Sequence, residues 1–289
     1  MNTTRRSEGH VSDWARESAT SQSCATFRSL WKPLGVFIFG LLFYSQELVQ
    51  AQYTFTTIDV PGATAQSANG NSTHEVAGDF TDNDGTHGFV LSKGVFTTVN
   101  VPGAKLTQIN GINAPGRFAG TYSETGDLAT NARGYFSSKG DFVTIHPPQS
   151  SRTQVGFLNA QGQVVGAFRD NTASQKRRGF IWKDGHFTIF NVPGDDAAPG
   201  GTIAFGINDK GETVGNYLEG GSNKGFFRSK KGEFTKFVVP GALLTIGEGI
   251  NNNGTIVGVY VDKPDNDDND IHGFVLRNGI FETVDVPGA

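Results

Sequence analysis

The feature that most constrains this chain is a repeat of 41 to 47 residues. The string Val-Pro-Gly-Ala occurs four times, and Val-Pro-Gly-Asp and a degraded Pro-Pro-Gln-Ser mark two further copies. Units of this length usually bury their faces against their neighbours. We therefore expect five complete units, at 64–104, 105–150, 151–195, 196–242 and 243–289, after an extra strand at 53–63. The aligned prolines are Pro61, Pro102, Pro148, Pro193, Pro240 and Pro287.

Each unit carries four strand signals and no helical period. The first strand ends in a triplet such as Gly-Ile-Asn at 111–113, whose equivalent in the first unit is Asn71. A glycine three residues after the asparagine fits a type I turn that leads into a bulge. Asp-Gly at 184–185 and Asn-Gly at 278–279 are hairpin signals between the third and fourth strands. The pattern predicts an all-β, five-bladed β-propeller of four-stranded antiparallel blades, with an open β-solenoid as the alternative.

The repeat also has a family resemblance. Its pattern is Gly-Ile-Asn-x-x-Gly, Val-Val-Gly-x-Tyr, His-Gly-Phe and then Phe-Thr-Thr-Val-Asp-Val-Pro-Gly-Ala, with His-Gly-Phe itself at 87–89 and 272–274. Across 52–289 this pattern resembles the bacterial extracellular HAF-repeat family. The resemblance implies a secreted or surface protein, and it brings no established activity and no catalytic residues.

The first fifty residues differ from the repeat. Basic residues precede an apolar run at 34–44, which is too short to span a bilayer as a helix. Small residues flank a signal-peptidase site after Ala51. We read 1–51 as a signal peptide with a long amino-terminal region and 52–289 as the mature β-propeller domain. This predicts a secreted protein, extracellular or periplasmic, whereas an uncleaved anchor or a buried helix is the alternative.

Charge and cysteine content exclude several classes. The chain has Lys+Arg 24 against Asp+Glu 28, a formal charge of −4 that gives no reason to expect nucleic acid as a partner. The single cysteine, Cys24, precedes the predicted cleavage site, so the mature domain must be held by burial and backbone hydrogen bonds. The glycines occupy turn positions of the repeat rather than a phosphate-binding loop. No cofactor is expected, and no membrane contact after cleavage.

The loops between the second and third strands are the predicted binding surface. They lie at 81–87, 123–133, 169–178, 218–224 and 261–272, at the same end as the Val-Pro-Gly connectors. Variable loops on a rigid scaffold commonly carry function, although tolerated insertions look the same in sequence. The candidate ligand-binding residues open the third strand of each unit and are His87, Arg133, Arg178, Lys224 and His272.

Two of these loops are acidic and one is basic. Carboxylates at this density suit calcium if units one and five are neighbours, and a solvated acidic loop is the alternative. The third unit carries Arg169, Lys176 and Arg177 beside Arg178, which we read as ordinary loop charges. Trp182 fits either a sugar platform or half-buried packing. The candidate calcium ligands are Asp82, Asp84, Asp265, Asp267, Asp268 and Asp270.

Two functions fit this pattern. A non-catalytic binding or scaffolding module would recognise glycan or an extracellular protein through the loop face. A polysaccharide hydrolase or lyase would need paired carboxylates, and Glu248 is the only carboxylate among the first strands that should line the channel. The sequence therefore favours binding. The oligomeric state stays open, because the segments 53–60 and 281–286 both fit the outer position of the fifth blade.

A cleaved signal peptide makes one direct prediction. Protein exported by a bacterial host should begin at Gln52, because the small residues at positions 49 and 51 flank the peptidase site. Amino-terminal sequencing of the exported material measures this. Retention of residues 34–44 in the exported chain would instead indicate an anchor.

Overall fold

The computed structural model describes residues 57–114, 116–172, 175–195, 200–263 and 271–285. Within those ranges the secondary structure is all β, with twenty strands and no helix. Accordingly, no described segment is a helix long and apolar enough to cross a membrane. All twenty strands belong to one compact unit.

The strands follow one another in five blades of four, each antiparallel throughout. A single parallel bridge, from Thr86 to Leu106, joins the sheets of the first two blades. The predicted four-stranded units are thereby confirmed. In chain order the strands are β1 Ala65–Asn71, β2 Glu75–Thr81, β3 Thr86–Ser92, β4 Val95–Val99, β5 Leu106–Ile112, β6 Phe118–Ser123, β7 Arg133–Ser138, β8 Asp141–Ile145, β9 Ser150–Leu158, β10 Val164–Asp170, β11 Arg177–Lys183, β12 His186–Phe190, β13 Ile203–Ile207, β14 Thr213–Glu219, β15 Ser222–Arg228, β16 Phe234–Phe237, β17 Leu244–Ile250, β18 Ile256–Val261, β19 Ile271–Arg277 and β20 Ile280–Val284.

The turns follow the chemistry read from the sequence. Asp184 and Gly185 have φ of 49° and 84°, the two positive values that a type I′ hairpin requires. In the turn after β13, Gly211 N donates to Asn208 O at 3.0 Å and Gly211 has φ 79°. The Asn208 side chain caps this turn by accepting from the Glu212 N–H at 3.0 Å.

The first blade corrects one alignment. Asn71 pairs with Val76 in the β1–β2 ladder, so it stands where Ile112 stands in the second blade. Ser72 takes the turn position instead, since its N–H donates to Glu75 O at 2.8 Å. The turn after β1 is one residue shorter than the turn after β5, and this shifts the equivalence by one.

Buried asparagines at this turn link successive blades. Asn113 Nδ2 donates to Asn159 O at 2.9 Å, and Asn159 Nδ2 donates to Asn208 O at 3.0 Å. Asn208 Nδ2 then donates to Asn251 O at 3.1 Å. Each of the three donor residues is at least 94% buried. We call this series the asparagine relay, and it connects the second blade to the fifth.

Most of the hydrophobic core lies between blades, in four of the six clusters of the described residues. Between the third and fourth blades, Val165 and Phe190 pack against Ala204, Tyr217 and Phe226. Side chains of adjacent blades also form clusters at the first, second and fourth interfaces. This is the burial that a repeat unit of this size cannot achieve alone.

The four-stranded blades support the expected β-propeller, but the sheets of the described residues do not close into a ring. The residue before the central glycine of the second strand is fully buried in four blades, whereas its counterpart Val257 in the fifth blade is only half-buried. The asparagine relay likewise ends at Asn251 in the described structure. The side of the first blade away from the second is covered by Ile58, Val60 and Ala63, which pack around Phe80 and Phe89. Its aromatic core is thus buried without the fifth blade.

The surplus segment before the first blade adopts the connector geometry of the other units. Ala63 N donates to Val60 O at 3.1 Å, as Ala104 N donates to Val101 O at 3.0 Å. Residues 57–60 form no strand, and the remaining residues of the two competing segments, 53–56 and 286, lie outside the described residues. The predicted pairing of the two segments therefore stays a prediction.

The asparagine relay makes a testable prediction. Asn159→Ala should lower the free energy of unfolding by about 1–3 kcal/mol, because it removes the turn cap and one of the two hydrogen bonds to the buried Asn208 carbonyl, which keeps the bond from Gly211 N. Asn251→Ala is the matched control. Asn251 caps its own turn, but its Nδ2 donates to no acceptor in the described residues. Urea unfolding should show a clearly larger loss for Asn159→Ala, and equal losses would show that the relay does not stabilise the blade interfaces.

Candidate functional site

The loops at the connector end are shorter than expected in two blades. The β2–β3 loop spans four residues, 82–85, and the β14–β15 loop is only Gly220 and Gly221. Both glycines have positive φ, 63° and 77°, so they close a two-residue hairpin and the expected long loop at 218–224 is wrong. Longer loops occur at 124–132 and 171–176, whereas most of the fifth loop, 264–270, lies outside the described residues.

The five candidate ligand-binding residues share one structural position. Each pairs directly with an aromatic residue of the second strand of its blade. Two positions after this aromatic residue, the chain carries an acidic residue. We call this set the basic–aromatic–acidic motif, and every blade has it at the connector end. Its members are His87 with Phe80 and Asp82, Arg133 with Tyr122 and Glu124, Arg178 with Phe168 and Asp170, Lys224 with Tyr217 and Glu219, and His272 with Tyr260 and Asp262.

The two histidines bridge an acid and a fourth-strand neighbour. His87 Nε2 lies 3.3 Å from Asp82 Oδ1, and its Nδ1 lies 2.9 Å from Asn100 Oδ1. His272 repeats this geometry, with Nδ1 3.1 Å from Asp285 Oδ1 and Nε2 3.7 Å from an Asp262 oxygen. Both imidazole nitrogens are thus held in fixed directions.

The third and fourth blades use stronger bases. Arg178 Nη2 lies 3.2 Å from Asp170 Oδ2. Glu219 accepts from Lys224 at 2.9 Å and from Lys236 at 2.6 Å. Hydrogen bonds from these two ammonium groups lower the pKa of Glu219 to about 2. The pair with Glu219 in turn raises the pKa of Lys224.

Arg133 departs from the other four. Its Nε is buried and has no hydrogen-bond partner, and no ion pair joins it to Glu124 in the described residues. It lies instead near His146, whose ring contacts the Ser150 hydroxyl at 3.1 Å. Burial lowers the pKa of His146, and the positive charge of Arg133 lowers it further.

A cleft opens beside the motif of the first blade. It has a volume of about 470 Å³ and lies between the β2–β3 loop and the connector at 100–105. Asp84, His87 and Lys105 contribute charged or polar groups, while Val101 and Pro102 supply apolar surface. A concave site that mixes a few fixed polar groups with apolar walls is the usual form of a small-molecule site.

The connector that forms this cleft is fixed to the next blade. Val101 N donates to the Thr107 hydroxyl at 3.1 Å, and Val239 N donates to the Thr245 hydroxyl at 3.1 Å. Both threonines are at least 99% buried. The walls of the connector end are therefore rigid, which favours a preformed binding surface.

The calcium prediction is not tested by the described residues. Asp82 Oδ1 accepts from Asp84 N at 2.8 Å and from Gly85 N at 3.2 Å, and these bonds together with His87 lower the pKa of Asp82. Among described residues, no group of three or more His, Cys, Asp or Glu side chains could hold a metal. The remaining candidates, Asp265, Asp267, Asp268 and Asp270, lie outside the described residues.

Trp182 is a packing residue. It is 5% exposed and belongs to the cluster between the second and third blades, with its ring 5.6 Å from that of Phe136. A sugar platform must present an exposed face, so this reading of Trp182 is wrong.

Asp79 is a partly buried acid whose environment the sequence did not reveal. Its carboxylate accepts from Asn69 Nδ2 at 2.7 Å, and burial raises its pKa. No pattern in the sequence separates Asp79 from the exposed aspartates, because its burial depends on Gln108 of the neighbouring blade. Asp82 was expected as a calcium ligand, but the acidic residue was not recognised as the recurring partner of the basic one, although the aromatic-x-acidic triplet is visible in every unit.

The blades and their connector-end motif define the class as a β-propeller protein, open in the described structure. No protein-family model matches the chain, and the search of curated proteins finds no match. Among solved structures, a mutant of AofleA from Arthrobotrys oligospora is similar at 12% identity over 82% of this chain and 78% of that chain, with a TM-score of 0.50.

Two further solved structures show weaker likeness. The fucose-specific lectin from Aleuria aurantia has 12% identity over 76% of this chain and 77% of that chain, with a TM-score of 0.49. The β-propeller domain of the Trilobed protease from Pyrococcus furiosus has 10% identity over 76% of this chain and 82% of that chain, with a TM-score of 0.42. Likeness at such identities concerns the fold alone.

The environment of His146 predicts a pH dependence of stability. Its pKa is lowered in the folded state, so the unfolded chain binds a proton first as the pH falls below about 6.5 and stability is lost. Between about pH 7.5 and 5.5 the melting temperature should fall less in His146→Gln than in the unsubstituted protein. Arg133→Gln removes one of the two causes and should give an intermediate slope. An equal fall of melting temperature with pH in all three proteins would contradict the assignment of this effect to His146.

Proposed function

We propose that this protein is a secreted, non-catalytic binding module that recognises a polymeric glycan through the connector end of its blades. The observation that carries the proposal is the basic–aromatic–acidic motif, which recurs at one register position in all five blades. A repeated binding surface is suited to a repeated ligand, because engaging several weak sites at once raises the overall affinity.

The chemistry of the motif fits sugar hydroxyls. A hydroxyl both donates and accepts hydrogen bonds, and each motif offers an acidic acceptor near a basic donor. In the first blade the Asp82 and His87 pair lies next to the cleft of about 470 Å³. Charged groups that are already oriented lose little freedom when a ligand binds.

Several features support binding over catalysis. The basic members of four motifs are already paired with acids, so these acids serve as oriented acceptors. The partly buried acid Asp79 accepts hydrogen bonds from two amides. Glycoside hydrolysis commonly needs two carboxylates within about 10 Å of the same bond.

The remaining parts of the proposal rest on the sequence. The leader at 1–51 supports export, and the repeat pattern at 52–289 supports membership of the HAF-repeat family. Calcium held by the acidic loops of the first and fifth units is a proposed accessory ligand. An extracellular protein that presents repeated hydroxyl or carboxylate groups is the alternative partner.

A glycan array tests this function on residues 52–289. The unsubstituted protein should bind polymeric glycans more tightly than the corresponding monosaccharides, because a polymer engages several blades. His87→Ala should weaken binding about threefold to tenfold, since it removes one oriented donor at the cleft. His186→Ala is the matched control, because His186 lies in the hairpin at the opposite end, where its Nδ1 lies 3.1 Å from the Asp184 carbonyl oxygen.

Two results would contradict the proposal. Equal binding of monosaccharides and polymers would remove the role of repetition. Release of reducing ends or unsaturated products from polysaccharides incubated with the protein would identify a hydrolase or lyase instead. Loss of binding in both histidine variants would indicate a general effect on folding, which circular dichroism of each variant measures.

A further inference from the structure

Three arginines of the third blade lie side by side across three strands. Arg152 of β9 pairs with Arg169 of β10, and Arg169 pairs in turn with Arg177 of β11. Residues directly opposite one another project from the same face of a sheet, with Cβ atoms about 5 Å apart. Arg152 is 17 positions before Arg169 in the sequence, so the loop charges at 169–178 gave no sign of this arrangement. We call these three residues the arginine ladder.

The ladder is not neutralised by the residues around it. Arg152 Nη1 donates to the Ala129 carbonyl at 3.4 Å, and Arg169 Nη1 donates to the Gln175 carbonyl at 3.2 Å. Neither these two guanidinium groups nor that of Arg177 forms an ion pair with a carboxylate in the described ranges. The Nε of Arg152 is buried and has no hydrogen-bond partner there.

Nearby acids are committed to other bases. Asp170 pairs with Arg178, and Asp195 pairs with Lys176. Asp127 interacts electrostatically with Arg152, but its oxygens accept from Ala129 N and the Thr130 hydroxyl. The net charge of the side chains around the arginine ladder is therefore positive, although the whole chain carries a formal charge of −4.

The mutual repulsion of the ladder is visible in its ionisation. Burial lowers the pKa of Arg177, and the charges of Arg169 and Arg152 lower it further. Burial and Arg169 also lower the pKa of Arg152, whereas Asp127 acts in the opposite direction. Like charges directly opposite each other in a sheet are destabilising, so an anion bound between the arginines would reduce their repulsion and stabilise the folded protein.

We propose that the arginine ladder binds the anionic group of an acidic polysaccharide, either a uronate carboxylate or a sulfate ester. Guanidinium groups bind planar carboxylates and sulfates through paired hydrogen bonds. The ladder lies in the blade whose connector end carries the Arg178 motif, so this inference rests on the proposed glycan binding and specifies its ligand class. It predicts one charged sugar held by the third blade while the other blades contact hydroxyl groups.

The size of the ladder favours polysaccharide over nucleic acid. Three adjacent strands span only about 10 Å, which accommodates one or two anionic groups. A nucleic acid presents a continuous row of phosphates, and the surrounding acids Asp127, Asp170 and Asp195 would repel the phosphates beyond that span.

The test compares four probes with residues 52–289 at about 0.02 M salt, where screening is weak. They are dextran bearing sparse carboxymethyl groups for carboxylate, dextran bearing sparse sulfate esters for sulfate, unmodified dextran as the neutral polymer, and single-stranded DNA for phosphate. At least one acidic polysaccharide should bind about tenfold or more tightly than dextran and than DNA. Whichever of the two acidic polymers binds more tightly identifies the anionic group.

Variants then assign the binding to the ladder. Arg169→Gln should lower affinity for the acidic polymer about tenfold and leave dextran binding unchanged. In the absence of ligand, Arg169→Gln should raise the melting temperature at low salt, because it removes the repulsion between the arginines. If Arg169 had only a structural role, the substitution would not raise the melting temperature. Arg177→Gln is the second variant. Lys183→Gln is the matched control. Lys183 lies at the other end of β11 from Arg177, and its substitution also removes one positive charge.

The outcomes separate this inference from the proposed function. Unchanged affinity for acidic polymers in both arginine variants, or DNA binding equal to that of the acidic polysaccharides, would overturn the ladder as the site. Binding of dextran and acidic polymers with equal affinity would also overturn it, but would leave glycan recognition standing. Binding of no glycan at all would overturn both.

Discussion

Burial of each blade against the next is the constraint on which this structure depends. A four-stranded sheet of about forty residues has two faces to cover, and the hydrophobic clusters lie between neighbouring blades. The central glycine of the second strand makes the tight packing of each blade possible. A Cβ on Gly215 would lie 1.9 Å from the Ile203 carbonyl oxygen, and one on Gly166 would lie 2.2 Å from that of Gln154.

The asparagine relay adds hydrogen bonds to this packing, from one blade to the next. Each asparagine caps its own turn with its side-chain oxygen and donates forward to the following blade with its nitrogen. The same residue thus stabilises a local turn and a long-range interface. Within the described residues the relay ends at Asn251 of the fifth blade, where Val257 is half-buried. In the first blade Ser72 replaces the asparagine, which removes the corresponding donor.

The scaffold explains why the connector end is the proposed binding surface. Buried threonines fix the connectors, and the strand register brings one base and one acid together in each blade. The opposite end consists of short hairpins such as Asp184-Gly185, which project few side chains. Repetition then gives the protein five related surfaces, while the arginine ladder makes the third blade chemically different from the rest.

The sequence by itself determined the strand content, the number of blades and the turn types. These follow from local chemistry, since an Asn-Gly or Asp-Gly pair between two strand signals favours a two-residue hairpin turn. The basic residues at the start of each third strand were also found from the repeat alone. The acid two positions after the aromatic residue was equally visible, because it lies within one strand and its turn.

Tertiary structure decided what depends on residues far apart in the chain. The opposition of Arg152 to Arg169 requires the pairing of β9 with β10, and the burial of Asp79 requires the neighbouring blade. The open seam also lies beyond local patterns. Five repeats fix the number of blades, whereas closure depends on whether the last face can pack against the first.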